Sequence, residues 1–148
     1  MKSFRRILYA TDFSRASDAA FARAVAVARD NHAQLLIVHV LSLWSPFVRV
    51  RNLPSATYLE LQEAGRRWVQ QQVAKLLLKV KRARIRAKVL LPEGEPHQRI
   101  VELARKKRAD LIVIGTHGRT GLPKFLVGSV AERVVRLAPC PVMTIRGK

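Results

Sequence analysis

The chain of 148 residues contains a single cysteine, Cys140. That excludes an intrachain disulfide and any zinc site built on paired cysteines. Aromatic residues are scarce, at 6%, so stacking of single-stranded bases on interleaved rings is not signalled. Acidic residues are scarce too: ten Asp and Glu stand against 28 Lys and Arg, a formal net charge of +18. Long hydrophobic runs are missing. The longest apolar stretch, residues 35–44, is interrupted by His39 and Ser42 and is about half of the ~20 residues that a membrane span requires. The basic start is not followed by the apolar segment of a secretory signal. These absences lead us to expect a soluble, cytoplasmic protein. What the chain does have is apolar content, 49%, enough to argue against disorder and for one folded domain over residues 1–148.

The apolar residues form a regular alternation. Residues 7–10 are a short apolar run, read as a buried strand. Ser14 or Ser17 can cap a helix over residues 15–31, marked by Phe21, Ala24, Val25 and Ala28 at helical spacing. Residues 35–41 form a second strand without strict alternation, as expected of a strand covered on both faces. Residues 42–55 hold two prolines and no period, so they read as a long loop. Leu61, Trp68, Val73, Leu76 and Val80 mark a long second helix, with Trp68 assigned to the core. A strand at 85–91, a helix opening at Pro96, a strand at 111–114, a helix carrying Val130 and Val134, and a strand at 141–145 complete the chain. Strands alternating with helices predict an α/β fold, an open parallel sheet with helices on both faces. Ligands of such sheets bind at the carboxyl ends of the strands.

The most informative segment follows the fourth strand. Gly115, Gly118, Gly128 and Ser129 form the pattern G-x2-G-x9-G-S between a strand end and a helix start. Glycines let backbone N–H groups approach an oxyanion closely, and a helix N-terminus offers unpaired N–H groups and partial positive charge. Arg119 and Lys124 can add formal charge. The pattern is neither a Walker A loop nor the dinucleotide G-x-G-x-x-G. A long turn with glycines for steric reasons and a serine cap is the structural alternative.

This segment, with Ser129-Val130-Ala131-Glu132-Arg133-Val134 and Ala138-Pro139-Cys140-Pro141-Val142 after it, resembles the C-terminal signature of the universal stress protein family. Residues 7–14 resemble that family's first strand and turn, residues 36–40 its second strand, and Gly94-Glu95-Pro96 the start of its third helix. The resemblance implies a five-stranded parallel sheet of order 3-2-1-4-5, of the adenine-nucleotide alpha-hydrolase type. It also implies ATP binding, since the glycine pattern marks the family's ATP-binding members, with Mg2+ as the accompanying ion. By carry-over, Gly115, Gly118, Gly128 and Ser129 would hold the triphosphate, with Thr116, His117, Arg119 and Val130 beside it. Ala10, Thr11 and Asp12 would border the ribose or the metal, and Val40 would meet adenine through its backbone. Ala10 stands where the family often has proline. The resemblance further implies a homodimer formed through strand 142–145.

Other residues carry two readings. Asp12 is a ligand contact or the acceptor of an Asx turn. His117 is a phosphate contact, a general base, or a polar loop residue. His39 reads as packed in the core, and His32 and His97 as surface residues. Cys140 has no activating neighbour in sequence and reads as structural. Trp44 is placed as a shield of a ligand or subunit contact. Nine cations and no acid lie between residues 64 and 92, from Arg66 to Lys88. They form a solvated helix face or a polyanion patch. The function expected is an ATP-binding stress-response regulator with slow or no hydrolysis. The alternatives are an ATPase or phosphotransferase at the same site, and a basic protein that binds nucleic acid through residues 66–88.

Overall fold

The computed structural model describes residues 3–42, 54–117 and 127–147. Five strands, β1 (Arg6–Ala10), β2 (Gln34–Val38), β3 (Ala87–Leu90), β4 (Leu111–Gly115) and β5 (Val142–Ile145), alternate with four helices. The helices are α1 (Arg15–Asp30), α2 (Ser55–Arg82), α3 (Pro96–Lys106) and α4 (Ser129–Leu137). The sheet is parallel throughout, in the order β3-β2-β1-β4-β5. Register is fixed at the centre, where Leu8 faces Leu36 on one side and Ile112 on the other.

After a polar first residue in β1 and β2 (Arg6 and Gln34), the central strands run as unbroken apolar stretches because both faces are covered. Ile7, Tyr9, Leu35, Ile37 and Val113 turn toward Ala20, Phe21, Ala24 and Ala28 of α1 and Leu76 and Val80 of α2. Leu8, Leu36, Val38, Ile112 and Ile114 turn toward Ile100 and Ala104 of α3 and Ala131 and Val134 of α4. Small residues on the buried face of α1 bring it close to the sheet. That face also crosses the end of β4, where a Cβ on Gly115 would lie 2.8 Å from the carbonyl carbon of Ala16 and 3.0 Å from the Ser17 nitrogen. A side chain there cannot be accommodated without moving the helix.

Two assignments need correction. Trp68 is not core: it is 37% exposed and rests edge-on against the Phe13 ring, at 5.4 Å between centroids. It lies in the first half of α2, where the helix extends past the sheet; burial starts at Val69 and continues at Leu76 and Val80. His97 is not a surface residue but is buried. It belongs to the apolar stripe His97, Ile100, Val101, Ala104 of α3, whose spacing extends one turn earlier than its aliphatic members indicate. Its Nδ1 lies 3.1 Å from Glu95 Oε1. His32 is exposed, as read.

The first three helices end in the same way. After α1, α2 and α3, the residues His32, Arg84 and Arg108 adopt left-handed backbone, with φ of 54°, 55° and 51°. In each turn two hydrogen bonds cap the helix. Ala33 N–H reaches Ala28 O and His32 N–H reaches Arg29 O. The same pairing joins Ile85 to Val80 and Arg84 to Lys81, and again Ala109 to Ala104 and Arg108 to Arg105. This is the Schellman arrangement, with its apolar contact between the flanking residues.

Candidate functional site

At the carboxyl ends of the strands a cleft of about 280 Å³ opens where the strand order changes direction, between β1 and β4. Three structural units meet there. From the end of β1 and the residues after it come Ala10, Thr11 and Asp12; from the end of β4 and the residues after it come Ile114, Gly115, Thr116 and His117; from the start of α4 come Gly128, Ser129, Val130 and Ala131. Val38, His39 and Val40 close one side, and Pro96 and Ile100 of α3 another. The opposite connection senses on either side of β1 leave this gap, the position at which open parallel sheets take ligands.

Of the twelve residues singled out from sequence, Ala10, Thr11, Asp12, Val40, Gly115, Thr116, His117, Gly128, Ser129 and Val130 line this cleft. Gly118 and Arg119 lie outside the described residues, as do Lys124 and Trp44. Ser17, Val38, His39, Pro96, Ile100, Ile114 and Ala131 also line it and were not assigned to it. Most of these belong to the core pattern, and hydrophobic periodicity does not mark which core residue sits at the open end of a strand.

The glycines have different roles. Gly115 is required by the close approach of α1, as described above. Gly128 is the N-cap of α4, and its N–H is already bonded to Thr116 O. Among the described residues the N–H groups of Ser129, Val130 and Ala131, the first turn of α4, have no partner and no side-chain cap, and these are the donors that can face a ligand. The helix dipole adds partial positive charge at the same point.

The β1 side is held by hydroxyl groups. Tyr9 Oη donates to Ser17 O at 2.8 Å and lies 2.9 Å from Ser17 Oγ. Ser17 Oγ in turn bonds Thr11 Oγ1, which also accepts the Phe13 N–H at 3.0 Å. Burial pushes the Tyr9 phenol up to about 12, outweighing the Ser17 and Thr11 hydroxyl groups, which lower it; it stays protonated and serves as a structural donor. Asp12 Oδ1 accepts the Ser14 N–H at 3.0 Å, so the Asx turn is real, and the residue lines the cleft as well. Ser14, not Ser17, caps α1, its hydroxyl accepting from Ser17 N–H.

The histidines separate clearly. His39 Nδ1 lies 2.8 Å from Thr11 O and its ring stacks on Phe13 at 4.5 Å. It ties β2 to the β1 turn, a packed histidine as read, and it also forms cleft wall. His117 bonds Thr116 Oγ1 through Nδ1 at 2.8 Å, while its Nε2 is buried and has no partner among the described residues. Among the described residues no cluster of three His, Cys, Asp or Glu can hold a metal by itself, and Asp12 is the cleft's carboxylate.

Known proteins share this architecture. The chain is 37% identical over 144 residues to universal stress protein MJ0531 of Methanocaldococcus jannaschii, covering 97% of this chain and 82% of that protein. The solved structure of MJ0577 from the same organism superposes with a TM-score of 0.84 at 25% identity, covering 99% of each chain. A more distant structure, an Arabidopsis thaliana family protein with AMP bound, shares the fold with a TM-score of 0.70 at 19% identity over 97% of this chain and 92% of that one. The model of the universal stress protein family matches residues 3–146. The chain belongs to the universal stress protein family.

Proposed function

We propose that this protein binds ATP in the cleft between β1 and β4 and acts as a nucleotide-responsive regulator in the cytoplasm during stress. The observation that carries the reading is the convergence of three N–H groups at the start of α4, without partners among the described residues, on the same space as the strand-end residues of β1. Such a helix start takes a phosphate without needing a basic side chain. Adenine nucleotide in a relative of the same fold agrees with it. Asp12, with one oxygen engaged by Ser14, suits a Mg2+ that arrives on the phosphates, since that ion takes one or two carboxylates and keeps water for the rest.

Slow or absent hydrolysis is part of the reading: the phosphates are held by backbone donors, and Asp12, the cleft's carboxylate, has one oxygen on the Ser14 N–H and the other placed for the Mg2+, which leaves no carboxylate to activate water. A regulator of this kind needs a surface to act through. β5 is a sheet edge, and beside it α4 exposes Val135 and Leu137. An unprotected edge with apolar neighbours favours a second copy, so a homodimer through β5 is part of the proposal.

The test is direct. Nucleotide is released from the purified protein by denaturation and identified by chromatography and mass, and ATP–Mg2+ is titrated calorimetrically into the emptied protein. ATP or ADP near one per chain, together with loss of binding in Gly128→Val, supports the reading. An empty protein that also fails to bind in the titration refutes it. A second reading, hydrolysis at this site, rests on one observation, the buried unpartnered Nε2 of His117. It requires that His117→Ala abolish phosphate release while ATP still binds.

A further inference from the structure

The opposite end of the sheet has its own chemistry. Parallel strands linked by helices gather every strand start and every helix end on one side. Hydrogen bonds hold these segments together: Gln34 N–H to Arg5 O at 2.8 Å, Leu35 N–H to Arg86 O at 2.9 Å, and Asp110 N–H to Arg6 O at 2.8 Å. Arg5, Arg84, Arg86, Arg105, Lys106 and Arg108 are all exposed on this end. Among the described residues none of the six takes part in an ion pair. Nearby carboxylates are engaged locally, Asp110 by the main-chain N–H groups of Arg5 and Arg6 at 2.8 and 2.9 Å, and Asp30 by Arg29 at 3.7 Å.

Cations at a helix C-terminus complement its dipole, which accounts for Arg105 and Lys106. It does not account for Arg84 and Arg108, or for His32. These occupy the left-handed position that ends each helix, where glycine or asparagine is the usual residue. The conformation costs an L-residue roughly 1–2 kcal/mol. Three successive turns accept that strain at the same end of the molecule, and each places a basic or titratable side chain there. Backbone strain of this kind collects at functional surfaces.

We propose that this end of the sheet binds the phosphate backbone of double-stranded nucleic acid. Arginine predominates among the six, and its planar fork matches phosphate better than an ammonium does. No exposed large apolar side chain lies in the three helix-to-strand turns or in residues 3–6, and the exposed Leu77 and Leu78 stand earlier on α2, so these turns carry no anchor of their own for a membrane-lying face. No exposed aromatic ring lies there either, so contact is with the backbone and insensitive to base sequence. The surface shares Arg84 and Arg86 with the basic run 66–88 but extends beyond it: it joins the end of α2 to the α3–β4 turn and the start of β1.

The experiment uses the full chain and a fluorescent duplex of about 20 base pairs, read by anisotropy between about 50 and 200 mM salt. The test variant is Arg84→Gly with Arg108→Gly. Both glycines suit the left-handed turns, so the fold is kept or strengthened, which the melting temperature checks. Affinity falls about tenfold or more, and the slope of log K against log salt shrinks by about 1.8, two phosphate contacts at about 0.9 each. The control is Arg23→Gln with Arg66→Gln, which removes the same charge from exposed positions within α1 and α2 and changes affinity less than about twofold. Three results overturn the proposal: no duplex binding at the low salt; an equal loss in the control, which would leave only net charge; or binding to anionic phospholipid vesicles through Arg84 and Arg108 with none to duplex. Gly128→Val leaves duplex binding unchanged, so failure here and failure of the nucleotide reading are distinguishable.

Discussion

The two ends of this sheet treat glycine in opposite ways. At the cleft end, Gly115 and Gly147 stand against the first turn of α1, and a Cβ on either would lie within 3.0 Å of the Ala16 backbone. At the far end, three left-handed turns that would accept glycine carry His32, Arg84 and Arg108 instead. The cleft end omits side chains at Gly115 and Gly147 so that the backbone can close up, and its one left-handed side chain among the described residues, Phe13 at φ 61°, packs on His39 and Trp68. The far end keeps exposed side chains in left-handed backbone where glycine would cost less. The difference separates a glycine required for packing from a side chain retained at a conformational cost, and the first does not imply a ligand.

Reciprocal substitutions sharpen the contrast. Gly115→Ala forces a methyl group into the α1 backbone and should destabilise the protein by about 1–3 kcal/mol, the usual range for overpacking; urea denaturation measures it. If stability is unchanged, the close approach of α1 is not what fixes this glycine. A smaller effect concerns Tyr9. Its folded-state value of about 12 exceeds the ordinary 10.0, so the protonated phenol stabilises the fold fully below pH 10. That stability is lost as pH rises from 10 toward 12, on the order of 2–3 kcal/mol in all. Tyr9→Phe removes this pH dependence and, at neutral pH, costs about 1 kcal/mol for the hydrogen bonds to Ser17.

At the far end the sign reverses. Arg84→Gly alone should raise stability by about 0.5–1 kcal/mol, the relief of left-handed strain less the greater unfolded-chain entropy of glycine. A drop in melting temperature would show that the Arg84 side chain makes a stabilising contact. The smallest effect is at Cys140, whose thiol is pushed up by burial and by the charge of Asp110. Its alkylation by iodoacetamide at pH 8 should be slower than that of free cysteine, in keeping with a structural residue.

Much of this was legible in the sequence. The five strands and four helices follow from apolar runs and helical spacing, because the central strands and the inner helix faces are apolar where they pack, whereas the strand order comes from the family resemblance and not from periodicity. Gly115, Gly128, Ser129 and Asp12 stand out by residue type at strand ends and a helix start, while Ala10, Thr11, Val40, Thr116, His117 and Val130 come from the family resemblance; all ten line the cleft. What was not legible depended on proximity between distant residues. That Gly128 gives its N–H to Thr116, and that Gly115 faces Ala16, are relations no local pattern encodes. His97 and Trp68 were misread for a related reason: an imidazole and an indole take their burial from what the rest of the chain brings against them. The left-handed turns were invisible because arginine there contradicts the residue preference by which such turns are recognised.

The bond from Gly128 N–H to Thr116 O has a further consequence. It pins both ends of the segment between them, so the chain connecting β4 to α4 leaves and returns at fixed points. The separation between the end of β4 and the first turn of α4 is thereby set by a main-chain bond, which depends on neither residue's side chain. The N–H groups of Ser129, Val130 and Ala131 are held opposite the β4 end by backbone and not by side-chain identity, so their geometry survives any exchange of residues that keeps this one bond.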